Sequence, residues 1–190
     1  TIPASLANIT TLTHITFSYN HISENIPSEF ADLSSLQYLY AAVNQLTGRF
    51  PQAILNLSTL IGLDLGPNSL SGEVPPNLCA SLPNLQILVL AENFFIGNIP
   101  SSFTNASNIY DIDLSINNFT GLVPTTIGRL TKLSYLNLGQ NQLQANSKQD
   151  WEFLDSLGNC TELQMFSLSW NRLSGHVPSS LGNLSNQLQK

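Results

Sequence analysis

Leucine and isoleucine return along the chain in the frame L-x-x-L-x-L-x-x-N-x-L. The frame restarts at Leu12, Leu36, Leu60, Leu85, Ile109, Leu133, Leu163 and Leu188, at intervals of 24, 24, 25, 24, 24, 30 and 25 residues. A nearly fixed period of this size signals stacked supersecondary units. Inside each frame the L-x-L alternation has the two-residue period of a short strand, leucines on one face and variable residues on the other. Stacking such units predicts one parallel sheet whose inward residues fill a continuous core.

The polar columns sharpen this. The ninth position is Asn in all seven complete units: Asn20, Asn44, Asn68, Asn93, Asn117, Asn141 and Asn171. An amide both donates and accepts, whereas an ionised Asp only accepts, so Asn suits a buried turn. It is expected to bond the backbone of its own unit and of the next. Gly48, Gly72, Gly97, Gly121 and Gly175 share a column that predicts positive φ. Pro27, Pro51, Pro75, Pro100, Pro124 and Pro178 then fix the φ that follows, and Pro3 is left from an incomplete unit.

"NQLTGRFP", "NSLSGEVP", "NNFTGLVP" and "NRLSGHVP" resemble the plant class of leucine-rich repeats over essentially the whole chain. The resemblance implies an α/β solenoid, a right-handed superhelix (horseshoe) with a concave parallel β-sheet. Residues 1–190 then form a single solenoid fragment of seven complete repeats with partial repeats at both ends.

One unit breaks the frame. The repeat at 133–162 runs to 30 residues and lacks the Gly and Pro. Ser147 followed by Asp150 predicts a helix N-cap with an acid three residues later. Asp150 and Glu152 suit the first turn, Trp151, Phe153, Leu154 and Leu157 form one stripe, and Gly158 closes it. The expectation is a short outer helix that absorbs the insertion while the strand keeps register, with Trp151 in the core. "DWEFLDSLGNCTEL" also resembles a unit found in plant receptor kinases of the group containing the cereal bacterial-blight resistance receptor and the elongation-factor-Tu receptor. That kinship implies an extracellular segment of a plasma-membrane receptor kinase. The alternative is a secreted, apoplastic repeat protein that inhibits a microbial wall-degrading enzyme, although such inhibitors keep near-uniform units.

Charge narrows the partners. Only 9% of residues are charged and the net charge is −6. Phosphate backbones need clustered Lys and Arg, which are scattered here, so nucleic acid is not an expected partner. No apolar run reaches bilayer length, so no membrane contact is expected within the chain.

The outward strand columns hold the candidate binding surface. All five tyrosines lie there (Tyr19, Tyr38, Tyr40, Tyr110, Tyr135), with Trp170, Val89 and the acids Asp64, Glu92, Asp111 and Asp113. None of the six basic residues occupies these columns. Exposed aromatics beside acids fit a partly cationic peptide or protein ligand, by stacking, cation–π contact and charge pairing. In plant repeats Asp is also habitual at the fifth position, which gives Asp64 and Asp113 a purely structural reading. Seven strands at about 4.8 Å span roughly 29 Å, which about nine extended residues cross. By the family resemblance a co-receptor ectodomain is a further partner.

Sequons stand at Asn8, Asn56, Asn105, Asn118, Asn159 and Asn183. Four of them precede a unit leader by four residues, a column outside the strand face. Cys79 and Cys160 lie three units apart, about 14 Å, too far for a disulfide. They read as unpaired core fillers. His14, His21 and His176 show no metal-ligand spacing, and no nucleophile elbow or kinase motif is present. Asp111 and Asp113 point the same way, yet a flat open sheet is expected to give neither a raised pKa. No cofactor, metal or catalytic residue is expected in this chain.

Overall fold

In the computed structural model, which describes residues 1–189, each unit forms one coil of a solenoid. A coil runs through an inner strand, an Asn-centred turn, a second strand and a short outer helix. The inner strands are His14–Thr16, Tyr38–Tyr40, Gly62–Asp64, Ile87–Val89, Asp111–Asp113, Tyr135–Asn137 and Met165–Ser167. They pair in parallel, in sequence order, as one seven-stranded sheet. The expected concave sheet is therefore present.

A second sheet was not foreseen. Ser23–Glu24, Gln45–Arg49, Ser69–Glu73, Phe94–Asn98, Asn118–Gly121, Gln142–Ala145 and Arg172–Leu173 form another seven-stranded parallel sheet. Its residues alternate too, with Leu46, Leu70, Phe95, Phe119 and Leu143 turned inward and buried. Glycine within or at the end of four of these segments (Gly48, Gly72, Gly97 and Gly121) masks the strand, since it reads as a turn signal, and the outer segments are only two residues long. The registers of the two sheets differ. On the inner sheet equivalent positions face each other, as Tyr38 faces Gly62. On the flank sheet each coil slips two residues, as Ile96 faces Asn118. A two-residue slip at about 3.3 Å per residue, over strands about 4.8 Å apart, separates equivalent positions by about 8 Å. Coils thus crowd on the inner side and spread on the flank, which curves the stack.

The Asn column ties the sheets together. The Asn44 amide nitrogen donates to the carbonyls of Ala41 (3.2 Å) and Ala42 (3.1 Å) in its own coil and of Phe17 (3.0 Å) in the preceding one. Its Oδ1 accepts from the Ile22 amide at 2.9 Å. The ladder repeats at Leu46–Asn68, Leu70–Asn93, Phe95–Asn117, Phe119–Asn141 and Leu143–Asn171. The inter-coil partner is the preceding coil rather than the next, because the two-residue slip of the flank sheet sets each Asn beside the eleventh-position amide of the coil before it.

Two columns take left-handed backbone. Gly48, Gly72, Gly97, Gly121 and Gly175 have φ of 75–90°, as expected, and Glu24 takes the same conformation (φ 72°) in the first coil. Less expected is the eighth column, where Tyr19, Val43, Glu92, Ile116, Gln140 and Trp170 have φ of 53–60°. Such strain costs about 1–2 kcal/mol per residue. Hydrogen bonds to the following coil hold it in place, as from the Tyr19 amide to the Ala42 carbonyl and from Glu92 to Ser115, both 2.9 Å.

Short outer turns complete the coils: 3-10 turns aim Phe30, Ile54, Phe103 and Ile127 inward, and the α-helical turn Leu78–Ser81 does the same with Leu78, all buried. In the 30-residue unit, Gln149–Trp151 and the α-helix Glu152–Leu157 replace this turn. The cap forms reciprocally. Asp150 Oδ2 accepts from the Asn146 (2.7 Å) and Ser147 (2.9 Å) amides, and the Asp150 amide donates to Ser147 Oγ at 3.3 Å. Trp151, Phe153, Leu154 and Leu157 are buried, and the Trp151 indole donates to the Ser174 carbonyl. Register survives the insertion, with Tyr135 facing Met165. Gly158 ends the helix, in right-handed backbone (φ −56°). Cys79 and Cys160 are free and buried, and burial pushes their thiols up to about 12 and about 11.

Candidate functional site: the concave face

Register places the outward residues of the inner strands in two rows. One reads His14, Tyr38, Gly62, Ile87, Asp111, Tyr135, Met165. The other reads Thr16, Tyr40, Asp64, Val89, Asp113, Asn137, Ser167. Between them the inward row Ile15, Leu39, Leu63, Leu88, Ile112 and Leu136 is buried. Two residues per strand are therefore presented by a rigid core.

At one end of the rows the aromatics pack on each other. His14 stacks on Tyr38 with ring centroids 4.6 Å apart, and Tyr38 meets Tyr40 edge-on at 5.9 Å. Both tyrosine rings lean over Gly62. A Cβ there would meet the Tyr40 hydroxyl at 2.6 Å and the Tyr38 ring at 2.9 Å, so the missing side chain makes room for them. His14 was missed as part of this cluster because the sequence reading weighed histidines only as metal ligands. Its place in the third column was the available signal.

The acids form the centre. Asp113 Oδ1 accepts from the Ser115 amide (2.9 Å) and hydroxyl (2.6 Å), and Oδ2 accepts from Asn137 at 3.3 Å and from the Tyr135 hydroxyl at 3.5 Å. Asp64 accepts only from the Gly66 amide, at 3.1 Å. Asp111 has one buried oxygen, Oδ1, without any partner. Burial, then a backbone hydrogen bond that opposes it, then the charge of Asp113 set the Asp64 carboxyl, which rises to about 6. Burial followed by Asp113 and Asp64 raises Asp111 to about 6 as well. The expectation of unshifted carboxyls on a flat sheet was wrong, because curvature and the flanking rings strip water from the sheet centre. Tyr40 and Tyr135 are raised too, first by burial and then by neighbouring acidic groups. Among the described residues no Lys or Arg lies on the inner strands to offset this charge.

Not every candidate joins the cluster. Tyr38, Tyr40, Asp64, Val89, Asp111, Asp113 and Tyr135 sit on the strands, half-buried, and Tyr110 lies just before one, 40% exposed. Tyr19, Glu92 and Trp170 belong to the left-handed column beyond the strand ends. Tyr19 and Trp170 are 80% and 84% exposed. They rim the face instead of lining its floor. The sequon residues Asn8, Asn56, Asn105, Asn118, Asn159 and Asn183 are all exposed, and none lies on an inner strand. No cluster of metal-ligating side chains occurs among the described residues. No helix of the described residues is long and apolar enough to cross a membrane.

Comparison with known proteins agrees with the coil architecture. Leucine-rich-repeat family models match residues 83–143 in one case, and 11–33 and 162–184 in another. The chain is similar to the receptor kinase-like protein Xa21 of Oryza sativa subsp. japonica, 43% identical over 61 residues. It is also similar to the leucine-rich-repeat receptor-like serine/threonine-protein kinase EFR of Arabidopsis thaliana, 39% identical over 60 residues. Each match takes in 32% of this chain and 6% of the relative. Among solved structures, the plant peptide hormone receptor RGFR1 in complex with RGF2 superposes with a TM-score of 0.88 at 37% identity, over 96% of this chain and 28% of the receptor. The ectodomain of GASSHO1/SCHENGEN3 from Arabidopsis thaliana, in complex with CASPARIAN STRIP INTEGRITY FACTOR 2, gives 0.90 at 33% identity, over 99% and 22%. The Arabidopsis receptor kinase HAESA, with the peptide hormone IDA and the co-receptor SERK1, gives 0.84 at 29%, over 96% and 30%. The chain thus spans less than a third of each of these receptors.

Proposed function

We propose that this chain, built from leucine-rich repeats, is part of the extracellular ligand-recognition solenoid of a plant receptor-like serine/threonine kinase. Its concave face binds a peptide or protein, and a co-receptor ectodomain completes the signalling assembly. The observation that carries this reading is the unbalanced face: Asp64 and Asp111 are half-buried with few or no donors, between two groups of tyrosines. A buried carboxyl that lacks a partner is costly, and a ligand cation is the partner that would relieve it. Rings at either side offer stacking and cation–π contact to the same ligand. The similar receptors crystallised with peptides support a peptide as the occupant, and the 30-residue unit favours the receptor over a secreted inhibitor. Phosphotransfer belongs to a separate domain of the parent protein.

Panning a displayed library of random peptides about nine residues long, enough to cross the strands, tests the face. Enriched sequences should carry Arg or Lys beside an aromatic, and lose binding to the Tyr40→Ala/Asp111→Asn/Asp113→Asn chain. Enrichment without basic residues, or binding unchanged by those substitutions, removes the assignment.

A further inference from the structure

The flank sheet carries an apolar patch that no coil covers. Phe94 and Ile96 point outward from the same strand, 59% and 48% exposed. The register sets Asn118 directly opposite Ile96. Asn118 is exposed, and with Phe119 and Thr120 it forms a sequon. This sequon differs from the other five. Asn8, Asn56, Asn105 and Asn183 end 3-10 turns and Asn159 follows a helix, whereas Asn118 lies within a strand. Phe119 is turned into the core, so Asn118 and Thr120 share the outward face.

We propose that Asn118 carries an N-linked glycan whose first N-acetylglucosamine lies over Phe94 and Ile96 and closes this patch. Attachment transfers the oligosaccharide from a lipid-pyrophosphate donor. The Asn118 amide nitrogen attacks the anomeric carbon, forms the N–C bond and gives up one proton, and the lipid pyrophosphate leaves. The distances suit the contact. Opposed Cα atoms on paired strands are about 4.8 Å apart and the Phe94 position is about 8 Å away on the diagonal, within reach of one pyranose ring. The C–H face of that ring matches the electron-rich face of an aromatic. Exposed apolar groups on a sheet otherwise invite association, so a covalent cover is a physical solution. The proposal does not depend on the concave ligand site, because the patch lies on the other sheet.

The test uses the chain secreted from a eukaryotic host, with glycopeptide mass analysis of the Asn118 segment. Thr120→Ser keeps the acceptor hydroxyl and Thr120→Val removes it at almost constant shape. Occupancy is expected in the first and absent in the second. Loss of the glycan is expected to raise binding of a hydrophobic dye, as an uncovered apolar patch would, and to lower Tm. In a Phe94→Ser/Ile96→Ser background, the same loss should change neither. An unmodified Asn118 in the secreted chain overturns the proposal. So does equal dye binding with and without the glycan, which would leave the patch as a protein-docking surface.

Discussion

At the scale of single residues, the fold depends on groups that both donate and accept. Asn93 shows it most fully: its nitrogen donates to the carbonyls of Leu65, Leu90 and Ala91, and its oxygen accepts from the Leu70 amide, all in buried surroundings. Asn93→Asp keeps the shape and the acceptor but loses the donor, setting a carboxylate against three carbonyls. Each unpaired buried group costs about 1–3 kcal/mol, so a loss of at least about 3 kcal/mol is expected in urea unfolding. A smaller loss than Asn20→Asp gives would contradict the ladder, since Asn20 is exposed and reaches only its own coil. The acids behave in the opposite sense. Folded Asp64 and Asp111 hold protons up to about 6, against a usual value of 3.8. Between those values the folded chain binds more protons than the unfolded one, so stability falls as pH rises from about 4 to about 6 and is flat above. Asp111→Asn should therefore raise Tm at pH 7 by about 2 °C, the effect of a fraction of a kcal/mol in a chain this size, and flatten that part of the pH profile. Binding of a cationic peptide should run the other way and tighten as pH rises through 6, because only the ionised acids attract it. A face tuned for binding is thus held at some cost to stability.

At the scale of elements, sequence periodicity exposes what repeats and hides what depends on distance across coils. Leucine alternation defines the inner strands. The Ser147-to-Asp150 spacing and the Trp151, Phe153, Leu154, Leu157 stripe define the inserted helix, and both took the expected form. The flank strands were illegible because the glycine that four of them carry looks like a turn while their hydrogen bonds come from other coils. The left-handed eighth column was hidden for a related reason: Tyr19, Val43 and Ile116 are not residues that favour that backbone, and their amides are held by carbonyls of the following coil. The raised acids were hidden because burial on a curved sheet cannot be read from a single strand. One contact of the inserted helix makes a sharp prediction. A Cβ on Gly128 would collide with the Ser156 carbonyl, where the helix lies against the preceding outer turn. Gly128→Ala normally stabilises an ordered segment by limiting the unfolded chain. Here it should destabilise by about 1–3 kcal/mol, as overpacking does. A raised midpoint in thermal melting would show that the helix can shift away freely.

At the scale of the whole molecule, coils touch only their neighbours, so stability is a sum of coil and interface terms. The inward residues of the central coils are fully buried, whereas the last described coil leaves Phe166, Leu168 and Leu173 half-open, and Leu12 is half-open in the first. Unfolding should begin at these ends and travel inward. Hydrogen exchange should be slowest around Leu63, Leu88 and Ile112 and fastest in the outer coils, which departs from one cooperative transition. With these side chains half-open, the chain of residues 1–190 should melt below about 60 °C, inside the range of ordinary domains. Fusing a coil with a polar outer face after Lys190 would cover three large apolar side chains. Fully burying a residue of this kind contributes about 1.5–3 kcal/mol. Half of that from each of three gives about 2–4 kcal/mol, and a chain of this length gains about 2–4 °C per kcal/mol. The fused chain should therefore melt about 4–16 °C higher, with exchange slowed most in Met165–Ser167 and unchanged at His14–Thr16. A uniform slowing along the chain would mean that the solenoid unfolds as one unit, and the nearest-neighbour picture of its stability would have to be abandoned.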